Sequence, residues 1–119
     1  MPFKAIIEDL VTTTPGANGA ILADWEGEAV VQCCSYDDFE LKVIGAHNGI
    51  LFNLMKDLHR QFADGGVREA VIATEQIQVV VGAVGPDYSL IMTLTRDGVL
   101  GRALYHFRTA VALLEKEIY

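Results

Sequence analysis

The residues whose types could do chemistry are few and scattered. His59 and His106 fall on separate predicted helices with no acidic partner four residues away. His47 sits in the middle of an apolar helical arc, where a packed or interface histidine is expected rather than a ligand or base. The only serines, Ser35 and Ser89, lie outside any Gly-x-Ser-x-Gly elbow. Pro15-Gly16-Ala17-Asn18-Gly19 does not have the spacing of a dinucleotide loop, and no phosphate-binding Gly-x-x-x-x-Gly-Lys run occurs. Asp37, Asp38 and Glu40 cluster where a helix should begin, and carboxylates there favour the helix dipole. Cys33 and Cys34 are neighbours on a predicted strand and point to opposite faces, so a disulfide between them would be strained. They read as buried cytosolic thiols. No catalytic residue, cofactor site or metal site is expected, because no convergent polar set is visible.

The elements that would have to position a site are organised around residues 69–95. Glu69 to Thr74, Gln76 to Gly85 and Tyr88 to Thr95 are rich in β-branched residues and short enough for strands. Glu75-Gln76 and Gly85-Pro86-Asp87 break them, which predicts a three-stranded antiparallel meander. Val79-Val80-Val81 is apolar on both pleat faces, so the sheet should be covered on both sides. Before it, Ala20 to Gln32 reads as a hairpin turning at Asp24-Trp25-Glu26-Gly27. The lone tryptophan there, Trp25, is expected to lie over the hairpin end, with partner contact as the alternative.

Helices should supply the cover. Phe3, Ile6, Ile7, Leu10 and Val11 make one helix face, ended before Pro15. Leu100, Leu104, Phe107, Val111, Leu114 and Ile118 make the cleanest stripe, on a last helix. Between them, positions 43, 44, 46, 50, 51, 54, 55, 58 and 62 predict a second helix, begun at Asp37 or Asp38 and stopped at Ala63-Asp64-Gly65-Gly66. The competing reading makes Phe39 to Val43 a strand and Asn48 the cap of a shorter helix. The order helix, two strands, helix, three strands, helix predicts a three-layer α/β/α sandwich on a five-stranded antiparallel sheet. At 119 residues this is expected to be one domain, 1–119.

Composition narrows the partners. A net charge of −7 disfavours nucleic acid and anionic membrane. No apolar run reaches the ~18 residues of a membrane span, and Met1-Pro2-Phe3-Lys4 does not start a signal peptide, so a cytoplasmic protein is expected. Two features go beyond a plain domain. On the predicted second helix, Gly45, Gly49, Phe52 and Lys56 fall away from the apolar arc. Glycines there cost about 1 kcal/mol each against alanine, so another backbone is expected to pack on them. With Asn48 they form the predicted partner-binding set. The other feature is the proline-free apolar edge Val71, Ile72, Ala73 and Thr74, predicted to pair with its own copy across a two-fold axis.

The hairpin Pro15-Gly16-Ala17-Asn18-Gly19-Ala20 followed by Asp24-Trp25-Glu26-Gly27, the meander, and Arg96-Asp97 before Leu100-Gly101 together resemble the roadblock (dynein light-chain) family over almost the whole chain. Many members carry an arginine three residues after the glycine matching Gly101, where this chain has Leu104; Arg108 fits a later basic position. The resemblance implies a non-catalytic homodimer with a sheet continuous across both chains. It also implies a regulator or adaptor for a small Ras-like GTPase, whose hydrolysis it could stimulate. A structural adaptor of a larger assembly and a small-ligand sensor domain are the other readings.

Overall fold

The computed structural model describes residues 2–60 and 65–119. Phe62 and the Ala63-Asp64 part of the predicted helix stop lie outside the described residues. The elements are α1 (Pro2–Thr13), β1 (Ala17–Asp24), β2 (Ala29–Cys34), α2 (Asp38–His59), β3 (Glu69–Ala73), β4 (Ile77–Val84), β5 (Tyr88–Thr95) and α3 (Leu100–Ile118). The strands form one antiparallel sheet in the order β2-β1-β5-β4-β3. The expected sandwich is therefore present, with β2 and β3 as its two edges.

Alternation along the central strands builds two cores. Ala20 and Leu22 of β1, Val80 and Val84 of β4, and Leu90, Met92 and Leu94 of β5 point to one face. There they meet Ile7 and Leu10 of α1 and Ala103, Phe107, Ala110 and Leu114 of α3. Ile21, Val79, Val81 and Ile91 point to the other face and meet Leu41 and Phe52 of α2. Burial of Val79, Val80 and Val81 on both pleat faces follows directly. On the α3 side Gly82 leaves room for a ring: a Cβ there would stand 2.7 Å from Phe107 Cε2.

The second helix is the long one. Asp37 is its N-cap, and its side chain accepts a hydrogen bond from the Phe39 N–H at 3.4 Å. Phe39 to Val43 is helical rather than extended, and the Asn48 amide donates to the Ile44 carbonyl one turn back instead of capping. Asp24 Oδ1 closes the β1–β2 turn by accepting from the N–H groups of Glu26 and Glu28. Trp25 in that turn is 70% exposed, so its ring is not spent on covering the hairpin. Cys33 and Cys34 do face opposite layers, but both are half-buried rather than buried, because β2 is an edge strand.

Candidate functional site

Two surfaces carry unsatisfied binding capacity, and both follow from local structure. The first is the outer edge of β3. Thr74 donates its N–H to Ile77, and Ala83 donates to the Arg68 carbonyl. In an antiparallel ladder such pairs recur at every second residue. With the register Ala70–Val81 and Ile72–Val79, the backbone groups of Ala70, Ile72 and Thr74 turn inward to β4. Those of Glu69, Val71 and Ala73 turn outward. Of the predicted pairing set, Val71 and Ala73 therefore present the free N–H and C=O groups, while Ile72 and Thr74 flank them. The side chain of Glu69 is clamped by Arg108 of α3, with Nε–Oε1 at 3.0 Å and Nη2–Oε2 at 2.5 Å. This hydrogen bond holds the Glu69 carboxyl below its ordinary pKa.

The second surface is α2, and here the sequence expectation about facing is reversed. Leu41, Gly45 and Phe52 are the residues buried against the sheet, and Phe52 has no exposed surface. Gly45 lets the helix settle onto β1: a Cβ at that position would meet Ile21 Cγ2 at 3.1 Å. Asn48, Gly49 and Lys56 are half-buried along the margin of this face, and the Lys56 ammonium lies 5.2 Å from the centre of the Phe52 ring. Gly45 and Phe52 thus belong to the core and are not available to a partner. The apolar arc expected to face the sheet instead points outward, with Ile50 and Leu54 each 60% exposed and Val43, Leu51 and Leu58 also exposed. The sheet-facing positions 41, 45, 48, 52, 55 and 59 alternate steps of four and three, a helical stripe in their own right. It was legible only if glycine and asparagine were counted as core residues.

The flanks of α2 differ. Ile44 shares a cleft of about 350 Å³ with Thr74 and Ile77 at the β3–β4 turn. Phe39, Lys42, Val43 and Ala46 look the other way, onto Gly27, Glu28 and Ala29 at the β1–β2 turn. One flank therefore faces the β3 edge and the other the β2 edge.

The remaining candidates do not converge. His47 is exposed on the outward face of α2. His106 on α3 stacks edge-on against Tyr105, with ring centroids 5.6 Å apart. His59 lies at the last turn of α2. Burial pushes the Cys34 thiol up, away from the reactive thiolate, and its S–H points at the Tyr36 carbonyl and an Asp38 oxygen. Asp37, Asp38 and Glu40 serve the start of α2. Tyr36 Oη, Thr93 Oγ1 and Asn18 Oδ1 form a chain at 3.0 and 2.6 Å across β1 and β5, which satisfies the buried Thr93 hydroxyl. Among the described residues no group of three His, Cys, Asp or Glu side chains could hold a metal. No described helix is long and apolar enough to cross a membrane.

Comparison with known proteins agrees with this architecture. The Roadblock/LC7 domain family matches residues 4–95. A Roadblock/LC7 domain from Streptomyces avermitilis superposes with a TM-score of 0.86 at 19% identity, covering 97% of this chain and 96% of that one. MglB of Myxococcus xanthus gives a TM-score of 0.87 at 14% identity, with 99% and 95% covered. An MglB described with a tetrameric arrangement gives 0.86 at 18% identity, with 97% and 86% covered. No curated protein matches by sequence.

Proposed function

We propose that this chain, which belongs to the Roadblock/LC7 domain family, is a non-catalytic cytoplasmic regulator that works as a homodimer and binds a small Ras-like GTPase. The observation that carries the reading is α2, which buries one face on the sheet and exposes large aliphatic residues on the other. Exposed apolar surface of that kind marks an interaction site. The free Val71 and Ala73 backbone groups pair with those of a second copy and extend the sheet. The Ile44 flank of α2 lies beside that edge, so the two α2 helices come side by side in the dimer. Their outward residues Ile50, Leu51 and Leu54 then form a shared apolar platform for the GTPase. Asn48, Gly49 and Lys56 border it.

A regulator of this type shapes the nucleotide site of its partner and needs no phosphate loop of its own. The resemblance of bacterial members to this chain supports the GTPase as partner, and the tetrameric MglB relative supports self-association. A small-ligand sensor would need an apolar pocket between sheet and helix; Leu41 and Phe52 fill the middle of that space, and the cleft beside Ile44 is lined mainly by polar residues.

The dimer is tested by sedimentation. Ala73→Pro deletes an outward N–H without touching the β3–β4 ladder, so it should yield folded monomers; a native protein that is monomeric at micromolar concentration refutes the dimer. The partner is tested by pull-down from lysate loaded with GTP analogue or GDP. A Ras-like GTPase should be retained in one nucleotide state and lost with Leu54→Arg, the variant remaining dimeric. Equal retention by Leu54→Arg refutes the platform.

A further inference from the structure

We propose that Lys4 guards the β2 edge against pairing with a second copy of the chain, which confines self-association to β3 and lets it close. The need for a guard lies in β2 itself. Ala29-Val30-Val31-Gln32-Cys33-Cys34 carries no charge and no proline, the composition of a segment that pairs readily with its own kind. Between β2 and β1, Ser35 donates its N–H to the Asn18 carbonyl. With the register Ala20–Cys33 and Ile21–Gln32, Cys33 turns its backbone groups inward, while Gln32 and Cys34 turn theirs outward. A sheet able to pair at both β2 and β3 would add copies without end, because two different two-fold contacts on one chain do not close.

Lys4 reaches this edge from α1, 28 residues away along the chain, and its Nζ donates to the outward Gln32 carbonyl at 2.6 Å. The bond is charge-assisted and takes one of the acceptors a new strand would need. Lys4 is not there for want of another partner. Glu8 stands one turn further along α1, at the spacing of a helical ion pair, yet Lys4 forms no ion pair among the described residues. From the opposite layer, the Gln32 side-chain amide donates to the Asp38 carbonyl at the start of α2, at 3.0 Å. Gln32 thus ties the edge to both helical layers. A second copy would have to displace the ammonium from Gln32, and a two-fold pair would bring two Lys4 ammonium groups to one ladder. On β3, by contrast, Arg108 binds the Glu69 carboxylate and not an outward carbonyl. The inference does not require the GTPase reading, and it rests on β3 pairing only for the size of the closed assembly.

The full chain is sedimented from low to high micromolar concentration as native protein, Lys4→Met and Lys4→Arg. Lys4→Met keeps the length of an exposed side chain and removes its charge and donor; Lys4→Arg keeps both. Lys4→Met should gain species that grow with concentration to at least about twice the native mass and dissociate on dilution, and Lys4→Arg should sediment as the native protein does. Cys33 and Cys34 are the only cysteines and both lie on β2, so a short bis-maleimide reports whether that edge has paired. It should link Lys4→Met chains to one another and leave native chains unlinked. Native mass for Lys4→Met throughout the range overturns the guard. Larger species that persist on dilution, or that the cysteines do not link, overturn β2 as their route. Growth of Lys4→Arg equal to that of Lys4→Met overturns the charged donor. With Ala73→Pro added, the Lys4→Met series should stop at two chains. A native monomer would refute β3 pairing and still leave Lys4→Met to form pairs linked through β2.

Discussion

The two helical layers bury their sheet faces by different means. On one side α1 and α3 share the work, and the apolar stripe of α3 goes into the core through Ala103, Phe107, Ala110 and Leu114. On the other side α2 stands alone and is apolar on two faces. It turns Leu41, Gly45 and Phe52 inward and leaves Ile50 and Leu54 in solvent. The lesson is that fit, and not apolarity alone, chooses the buried face. A face with a glycine at the crossing point brings the helix closer to the sheet than a row of leucines can, and close packing recovers more dispersion energy. The surplus aliphatic face is then free for association. The α2 layer leaves more aliphatic surface in solvent than the α3 layer does.

Substitutions can break or sharpen that contrast. The largest effect belongs to Phe52→Ala, which should cost about 3–5 kcal/mol in urea unfolding. Leu54→Ala, two residues further on, should cost less than about 1 kcal/mol when measured in an Ala73→Pro background, where pairing at the β3 edge is blocked. Equal losses would mean that α2 faces the other way.

Next comes Gly82→Ala in the α3 layer. The new Cβ would stand 2.7 Å from Phe107, itself almost fully buried, so a loss of about 2 kcal/mol is expected from the unfolding midpoint.

The glycines of α2 should then divide in sign. A Cβ at Gly49 meets nothing within 4 Å, so Gly49→Ala should raise stability by about 0.5–1 kcal/mol through helix propensity. At Gly45 the same propensity gain is opposed by contact with buried Ile21 at 3.1 Å, and overpacking of about 1–3 kcal/mol leaves a net loss near 1 kcal/mol. Thermal melts of both variants settle this, and a gain at Gly45 would show that α2 does not press on β1.

The smallest effect is the pH dependence of the Glu69–Arg108 clamp between β3 and α3. The folded pKa of Glu69 is lowered, first by the hydrogen bond from Arg108. Its stabilisation is therefore present above the ordinary carboxylate pKa of about 4.3 and fades as pH falls through the lowered folded value. Glu69→Gln should unfold more easily than the native chain at neutral pH, and the difference should close in acid. A difference that persists unchanged in acid would assign the effect to packing instead.

Much of this molecule is legible in its sequence. The alternation of Val79, Val80 and Val81, the Gly85-Pro86-Asp87 break and the stripe from Leu100 to Ile118 specify strands, a turn and a helix through local periodicity, because backbone geometry fixes which side chains share a face. Asp37 and Asp38 marked the start of α2 because an unpaired N–H needs an acceptor, and the structure makes Asp37 the cap. The proline-free run from Val71 to Ala73 was readable as an edge, although which of its backbone groups are free needed the register with β4.

Only the tertiary structure decided which face of α2 is inside. Periodicity reports where apolar residues recur, and α2 offers two recurrent faces. The choice between them rests on the distance between helix and sheet, which Gly45 sets against Ile21 and Phe52 fills. Glycine contributes no hydrophobic signal to a sequence pattern, yet its missing Cβ fixes that distance. The meeting of Phe39 and Val43 with Gly27, Glu28 and Ala29 is decided in the same way: their separation along the chain says nothing of it, and the packing of the β1–β2 turn beside α2 creates it.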